Sequence, residues 1–308
     1  MHKNHRYRVY SEHLKEKFGE KVYKLPINLP GTCPNRDGTR GTGGCIYCDE
    51  AGAGFDALSS SLSVKQQLAE NMSYYRQRFN ARKYIAYFQS YTNTYLPLEK
   101  FRENLWAACV DDIVGISIST RPDCLPEEYL DAIEEVKDKA GLDINIELGL
   151  QTVNYRTLVR INRGHTVADF IDAANRIKPR GFEICAHMIL NLPWDDMDDV
   201  IEGAKILSAL CVEYVKLHSL YIVQGTALGS MYARGDIQVG SLQEYVVRSA
   251  AFLEYLHPDI VIQRLAARGP KDRVLFSNWD LSWWRVKQEI EKYLEKNDIF
   301  QGMKCPYA

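Results

Sequence analysis

Apolar residues along this chain fall into short, near-continuous runs, separated by stretches in which they recur every three to four positions. The runs at 22–29, 84–88, 113–119, 144–150, 183–190, 214–222 and 259–265 read as strands covered on both faces. The stretches at 64–80, 98–109, 127–139, 167–178, 198–210 and 242–256 read as amphipathic helices. Start and stop signals frame several of them. Ser63 precedes the first helix, Pro97 opens the second and Pro126-Glu127-Glu128 the third, while Gly181 follows the fourth. One helix between successive strands at spacings of roughly 30 residues means repeated βαβ units and a parallel sheet. An open doubly wound sheet and a partial or closed barrel both fit that alternation.

Sheets of this kind place chemistry at the carboxyl ends of their strands. Those ends are polar here: Gln89-Ser90-Tyr91, Ser119-Thr120-Arg121-Pro122-Asp123, Glu147 with Gly149-Leu150-Gln151-Thr152, and Asn191-Leu192-Pro193-Trp194. His187 and His218 lie within strands and read as hydrogen-bonded core histidines. The tail carries Trp279, Trp283 and Trp284, then a charged helix over 285–297; the tryptophans read as packing at the helix start.

The strongest chemical signal follows the first strand. Cys33, Cys45 and Cys48 are spaced C-x11-C-x2-C in a loop with Gly31, Gly38, Gly41, Gly43 and Gly44. Thiolates converging on one point need a sharply turning backbone, which glycine permits. Soft sulfur ligands select zinc, copper(I) or an iron–sulfur cluster. Structural zinc wants four protein ligands, and the next cysteines, Cys109 and Cys124, are far along the chain. Cys109, Cys124, Cys185 and Cys211 sit in apolar contexts and read as small buried hydrophobes.

Composition narrows the setting. The 308 residues, 46% hydrophobic, can bury a full core. There is no membrane-length apolar run, so no membrane partner is expected, and the charged N-terminus lacks a signal-peptide core. Cysteines without a secretory signal imply a reducing compartment, the cytoplasm. The net charge of −2 does not announce a nucleic-acid binder. Three basic groups stand out nonetheless: residues 1–24 with seven Lys/Arg and with His2, His5 and His13; Arg76, Arg78, Arg82 and Lys83; and Arg264, Arg268, Lys271 and Arg273. Each reads first as a solvated face. The chain divides into a basic arm at 1–21, a core barrel at 22–230 and a C-terminal extension at 231–308 that covers the barrel.

A cysteine triad at a strand end, followed by this βα array, resembles the radical S-adenosylmethionine (SAM) superfamily. The long first gap is similar to its Elongator-like branch. Cys33-Pro34-Asn35-Arg36-Asp37-Gly38-Thr39 and Gly41-Thr42-Gly43-Gly44-Cys45 resemble the YhcC/YtqA group. So do Gln89-Ser90-Tyr91-Thr92-Asn93-Thr94-Tyr95, Glu147-Leu148-Gly149-Leu150-Gln151-Thr152 and Arg160-Ile161-Asn162-Arg163-Gly164-His165. The resemblance implies an α/β fold, a partial (β/α)6 radical SAM barrel with an N-terminal arm and a C-terminal α/β extension. It implies a [4Fe–4S] cluster on Cys33, Cys45 and Cys48, with SAM on the fourth iron and reductive cleavage to a 5′-deoxyadenosyl radical. Gln89 takes the place of the usual Gly-Gly-Glu string for the SAM amino group. Ser119 and Thr120 fall where ribose hydroxyls are met, Glu147 and Gln151 suit the ribose or amino group, and Arg160 suits the methionine carboxylate.

The same resemblance implies tRNA as substrate, with wobble 5-carboxymethylaminomethyluridine converted to 5-aminomethyluridine. It also implies a low-potential electron donor of flavodoxin or ferredoxin type and a downstream methyltransferase. Tyr74, Tyr75, Tyr91, Tyr95 and Trp194 are the aromatics expected near the rim for stacking a splayed base. Leu265-Ala266-Ala267-Arg268-Gly269-Pro270 departs from the pattern by lacking an acidic residue. Two rival readings stay open: a radical SAM enzyme on a small molecule or protein, and a zinc-stapled RNA-binding protein without catalysis.

Overall fold

The structure is a computed structural model describing residues 5–49, 57–269 and 272–308. His2, Pro270 and Lys271, named above, lie outside the described residues. The strands are β1 (Val22–Ile27), β2 (Lys83–Phe88), β3 (Ile113–Thr120), β4 (Asp143–Gln151), β5 (Glu183–Ile189), β6 (Tyr214–His218), β7 (Tyr221–Val223), β8 (Val261–Arg264) and β9 (Val274–Ser277). The helices are α1 (Tyr10–Phe18), α2 (Val64–Phe79), α3 (Leu98–Ala107), α4 (Glu127–Ala140), α5 (Tyr155–Arg160), α6 (Val167–Ile177), α7 (Met197–Ala209), α8 (Ala227–Ala233), α9 (Leu242–Tyr255) and α10 (Trp283–Lys296).

The main sheet is parallel, seven strands in the order β1-β2-β3-β4-β5-β6-β8, curled as a partial barrel. Six strands were expected of the barrel; β8, from the C-terminal segment, is a seventh in the same sheet. The run at 214–222 is two strands, not one. β5 ends at Ile189, opposite His218, so nothing remains for the chain to pair with there. It turns through Ser219 and Leu220, whose N–H donates to Asn191 Oδ1 at 2.7 Å, and β7 pairs antiparallel with β9.

Strand parity explains what lies inside. Leu25, Ala86, Ile118, Ile146, Ala186 and Leu217 join one apolar core with Leu68, Leu105, Ile133, Phe170, Ala204 and Phe252 of the surrounding helices. Alternate positions, Lys24, Tyr87, Ser117, Glu147, His187 and Lys216, form the opposite, polar face. The strands are therefore apolar outside and polar inside, rather than apolar on both faces. Near the amino ends of the strands, Cys185, Tyr214 and Val261 pack together with Tyr10 of α1.

The basic arm is built into this arrangement. Lys17 pairs with Glu183 at 2.7 Å, Arg6 with Asp298 at 2.5 Å, and the Arg8 N–H donates to Gln301 Oε1 at 2.9 Å. Helix starts follow their signals: Ser63, Thr166, Asp196 and Ser241 form capping boxes. Among the described residues no helix is long and apolar enough to cross a membrane. Cys211 is exposed, contrary to its apolar context, because it sits just past α7.

Ile146, on the central strand β4, is fully buried, whereas Val159 on α5 is 61% exposed. Ile146→Ala should cost about 2–5 kcal/mol through lost burial and a residual cavity. Val159→Ala should stay within about 0.5 kcal/mol. Urea unfolding of both variants, followed by circular dichroism, checks the contrast.

Candidate active site

The cysteine loop turns on itself through backbone bonds. The Arg36 N–H donates to Cys33 O at 2.8 Å and the Cys48 N–H to Cys45 O at 2.9 Å. Gly44 sits at φ +74°, and a Cβ there would lie 2.9 Å from Arg36 Cγ, so only glycine lets the loop close over that side chain. Two asparagines fasten the loop to the turn after α5. Asn35 Nδ2 donates to Asn162 O at 2.5 Å, and Asn162 Nδ2 donates to Thr42 O at 3.0 Å and Gly44 O at 2.8 Å.

Cys33, Cys45 and Cys48 line one cavity of about 1020 Å³ at the carboxyl ends of the strands. No fourth cysteine lines it. Guanidiniums flank the sulfurs: Arg163 Nη1 is 3.5 Å from Cys45 Sγ and Arg121 Nη1 is 3.9 Å from Cys33 Sγ. Arg121 is held bidentate by Asp123, both bonds 2.9 Å. Arg163 also donates to Gly149 O at 2.6 Å, and its buried Nε has no partner among the described residues. His165, beside them, bonds Gly149 O at 2.9 Å, and burial with the neighbouring guanidiniums lowers its pKa to about 2.

Gln89, Ser119, Thr120, Glu147 and Gln151 line the same cavity. Ser119 Oγ donates to Tyr87 OH at 3.1 Å, and Thr120 Oγ1 meets Thr94 Oγ1 at 2.5 Å. Gln151 follows a register break at the end of β4 and takes φ +77°. Such a bulge re-aims a side chain. A Cβ on Gly149 would stand 2.6 Å from Gln151 Nε2 and 2.7 Å from Arg163 Nη2. Arg160 does not belong to this group. It is exposed at the end of α5, its guanidinium 5.8 Å from the Trp194 ring centre, because the turn through Gly164 carries Arg163 inward instead.

Glu147 is placed in the cavity wall, but its carboxylate is already engaged. Oε1 accepts from Lys24 and from Ser117 at 3.0 Å; Oε2 accepts from Lys216, Tyr87 and His187, each at 2.8 Å. A direct hold on SAM would have to displace these donors. Burial works against its charge, yet Lys216 and Lys24 keep its pKa well below the usual carboxylate range. Burial lowers Lys216 to about 8 and His187 to about 4. His218 is pushed well down by burial and by Arg264, whose Nη2 lies 2.6 Å from its Nδ1.

Sequence reasoning missed Arg163, Lys216, Lys24 and Arg264. The signal was a lysine inside each of two apolar strand runs, a glycine after Arg163, and the third basic group, to which Arg264 belongs. Of the aromatics expected at the rim, Tyr91 lines the cavity, joined by Tyr47, Tyr87, Tyr221 and Trp283. Tyr74 is exposed on α2 and Tyr95 bonds Thr39 at 2.7 Å. The third basic group supplies Arg264, Arg268 and Arg273 to the wall, while Arg76 of the second pairs with Asp112.

Comparison with known proteins agrees with this geometry. Residues 31–206 match the Radical SAM superfamily and residues 212–296 the Radical_SAM C-terminal domain. The chain is 37% identical over 298 residues to the uncharacterized protein YtqA of Bacillus subtilis, covering 96% of this chain and 92% of that one. It is 28% identical over 204 residues to the tRNA uridine(34) acetyltransferase of Methanocaldococcus jannaschii, 62% of this chain but 34% of that protein. The fold is similar to the archaeal Methanocaldococcus infernus Elp3 with an N-terminal deletion. There the TM-score is 0.68 at 16% identity, covering 91% of this chain and 64% of that one. Three soft thiols without a fourth cysteine, beside a guanidinium whose Nε lacks a partner, suit an anionic iron–sulfur cluster rather than tetrahedral zinc. With the cysteine triad on the barrel rim and its cofactors a [4Fe–4S] cluster and SAM, this chain belongs to the radical SAM superfamily.

Proposed function

We propose that the enzyme modifies the wobble uridine of tRNA, converting 5-carboxymethylaminomethyluridine to 5-aminomethyluridine, with SAM as the two-electron oxidant and hydrolysis of the oxidised C–N bond releasing the two-carbon arm as glyoxylate. The observation that carries this reading is the cavity itself. Its wall pairs cationic Arg36, Arg268 and Arg273 with Tyr91, Tyr221 and Trp283, a lining suited to phosphate and to a stacked, splayed base. The matched segment of a tRNA uridine(34) acetyltransferase supports the same substrate class.

When bound, the cluster and SAM supply reductive cleavage to methionine and a hydrogen-abstracting 5′-deoxyadenosyl radical. The chain supplies the setting. Cys33, Cys45 and Cys48 hold the cluster, and Arg163 and Arg121 offset thiolate charge. Gln89, Ser119, Thr120 and Gln151 hold SAM through amide and hydroxyl groups at the strand ends. Glu147 acts through its neighbours, orienting Lys216 and His187. A flavodoxin- or ferredoxin-type donor provides the electron, and a methyltransferase consumes the aminomethyl product.

Cys45→Ala should abolish 5′-deoxyadenosine release under dithionite while leaving the circular dichroism spectrum unchanged, since the loop lies outside the main core. Turnover in that variant would remove Cys45 from the site. Gly149→Ala forces Gln151 and Arg163 aside, and should cost about 1–3 kcal/mol of stability as overpacking. It should slow SAM cleavage as well, read by 5′-deoxyadenosine chromatography. In a deletion strain, nucleoside mass spectrometry should show accumulated 5-carboxymethylaminomethyluridine. An unchanged profile would point to a small-molecule or protein substrate.

A further inference from the structure

The barrel floor carries more positive charge than its own residues offset. Among the described residues, Lys24, Lys216 and Arg264 face a single carboxylate, Glu147, while His187 and His218 are held neutral near pH 7 by burial. Glu147 is spent on the two lysines, on Tyr87, on Ser117 and on His187. Arg264 has no carboxylate partner among the described ion pairs. Its Nη2 rests against both ring nitrogens of His218, at 2.6 and 3.0 Å, and its Nε is buried with no partner. Lys216 Nζ, next along the sheet in the β6–β8 register, also lines the cavity and donates to Tyr87 OH at 2.9 Å.

Arg264 is half-buried and lines the cavity, with its buried Nε unpartnered, so a ligand anion entering the cavity would meet a guanidinium that no carboxylate among the described residues neutralises. The sulfur-side guanidiniums are Arg121 and Arg163, on the β3 and α5 rim; Arg264 is on β8, among Tyr87, Tyr221 and Tyr245. Arg268 and Arg273 lie beyond β8, with Asp272 and Trp283. The cations thus fall into three sets: at the sulfurs, on the floor, and beyond β8.

We propose that Arg264, seconded by Lys216, forms an anion subsite on the barrel floor that receives a carboxylate carried by the substrate, making Arg264 a specificity-determining residue. This rests on the reading of the cavity as the chamber for a modified uridine, and it names what recognises the acidic arm. Guanidinium and ammonium together match a carboxylate with charge-assisted hydrogen bonds. The other carboxylate available to the cavity is that of SAM, so the test must separate the two sources.

The experiment uses anaerobically reconstituted holoenzyme. Anticodon stem-loops bearing 5-carboxymethylaminomethyluridine or its carboxamide analogue are titrated by fluorescence anisotropy, and SAM by equilibrium dialysis. The acid should bind about ten- to hundredfold more tightly than the amide, the range for hydrogen bonds to a charged group. Arg264→Gln should bring the two within about threefold while leaving amide and SAM affinities unchanged, and Arg264→Lys should restore part of the preference. An acid preference that survives Arg264→Gln overturns the subsite. So does a loss confined to SAM, which would assign the anion to the cofactor. If Arg264→Gln does not fold, Arg264→Met, which keeps the length of the side chain without its charge and leaves the Glu147 network intact, takes its place with the same outcomes. If neither stem-loop binds the wild type, the tRNA reading fails and the free nucleosides test the subsite alone. Acid preference lost in Arg264→Gln then supports it, and equal or absent binding of acid and amide overturns it.

Discussion

One carboxylate holds the interior of this barrel together. Glu147 is fully buried and takes charge from Lys24 on β1 and Lys216 on β6, strands on opposite sides of β4 in the sheet. Removing one partner of a buried pair leaves a charge that the low-dielectric interior penalises by about 3–5 kcal/mol. The polar face of the strands is therefore a bonded network rather than a set of side chains waiting for ligand. That network decides which groups remain for chemistry: Glu147 is committed, whereas Arg264 is not.

The cysteine loop depends on a different device. It leaves β1 and is held both by Ile46 and Tyr47, which pack on the cluster of Leu158, Ile161 and Ile189, and by hydrogen bonds to a remote segment. Asn35 and Asn162 join it to the turn after α5, and Arg163 from that turn reaches Cys45. The loop that presents the sulfurs and the cation beside them are thus joined by side-chain hydrogen bonds.

The C-terminal segment is part of the chamber. Through β8 it contributes Arg264 to the wall, and Ser282 and Trp283, at the start of α10, line the same cavity. The N-terminal arm has the converse fate. Its cations read in sequence as a solvated face, yet Arg6 and Lys17 are paired within the fold. Charge density alone did not distinguish a binding surface from an internal tie, since a basic residue is the same letter in either place.

Local sequence determined a good deal. The alternation of apolar runs and amphipathic stretches, with start signals at Ser63, Pro97 and Pro126, specified the βα array, because those signals act within a few residues. The spacing of Cys33, Cys45 and Cys48 specified soft-metal chemistry for the same reason. Tertiary structure alone decided that Arg163 and not Arg160 enters the site, and that the run at 214–222 breaks where β5 ends. It alone engaged Glu147 with Lys24 and Lys216 and left Arg264 without a carboxylate among the described residues. Those outcomes depend on what the curled sheet brings across its interior, and pairings between residues from tens to more than a hundred positions apart leave no local trace in the chain.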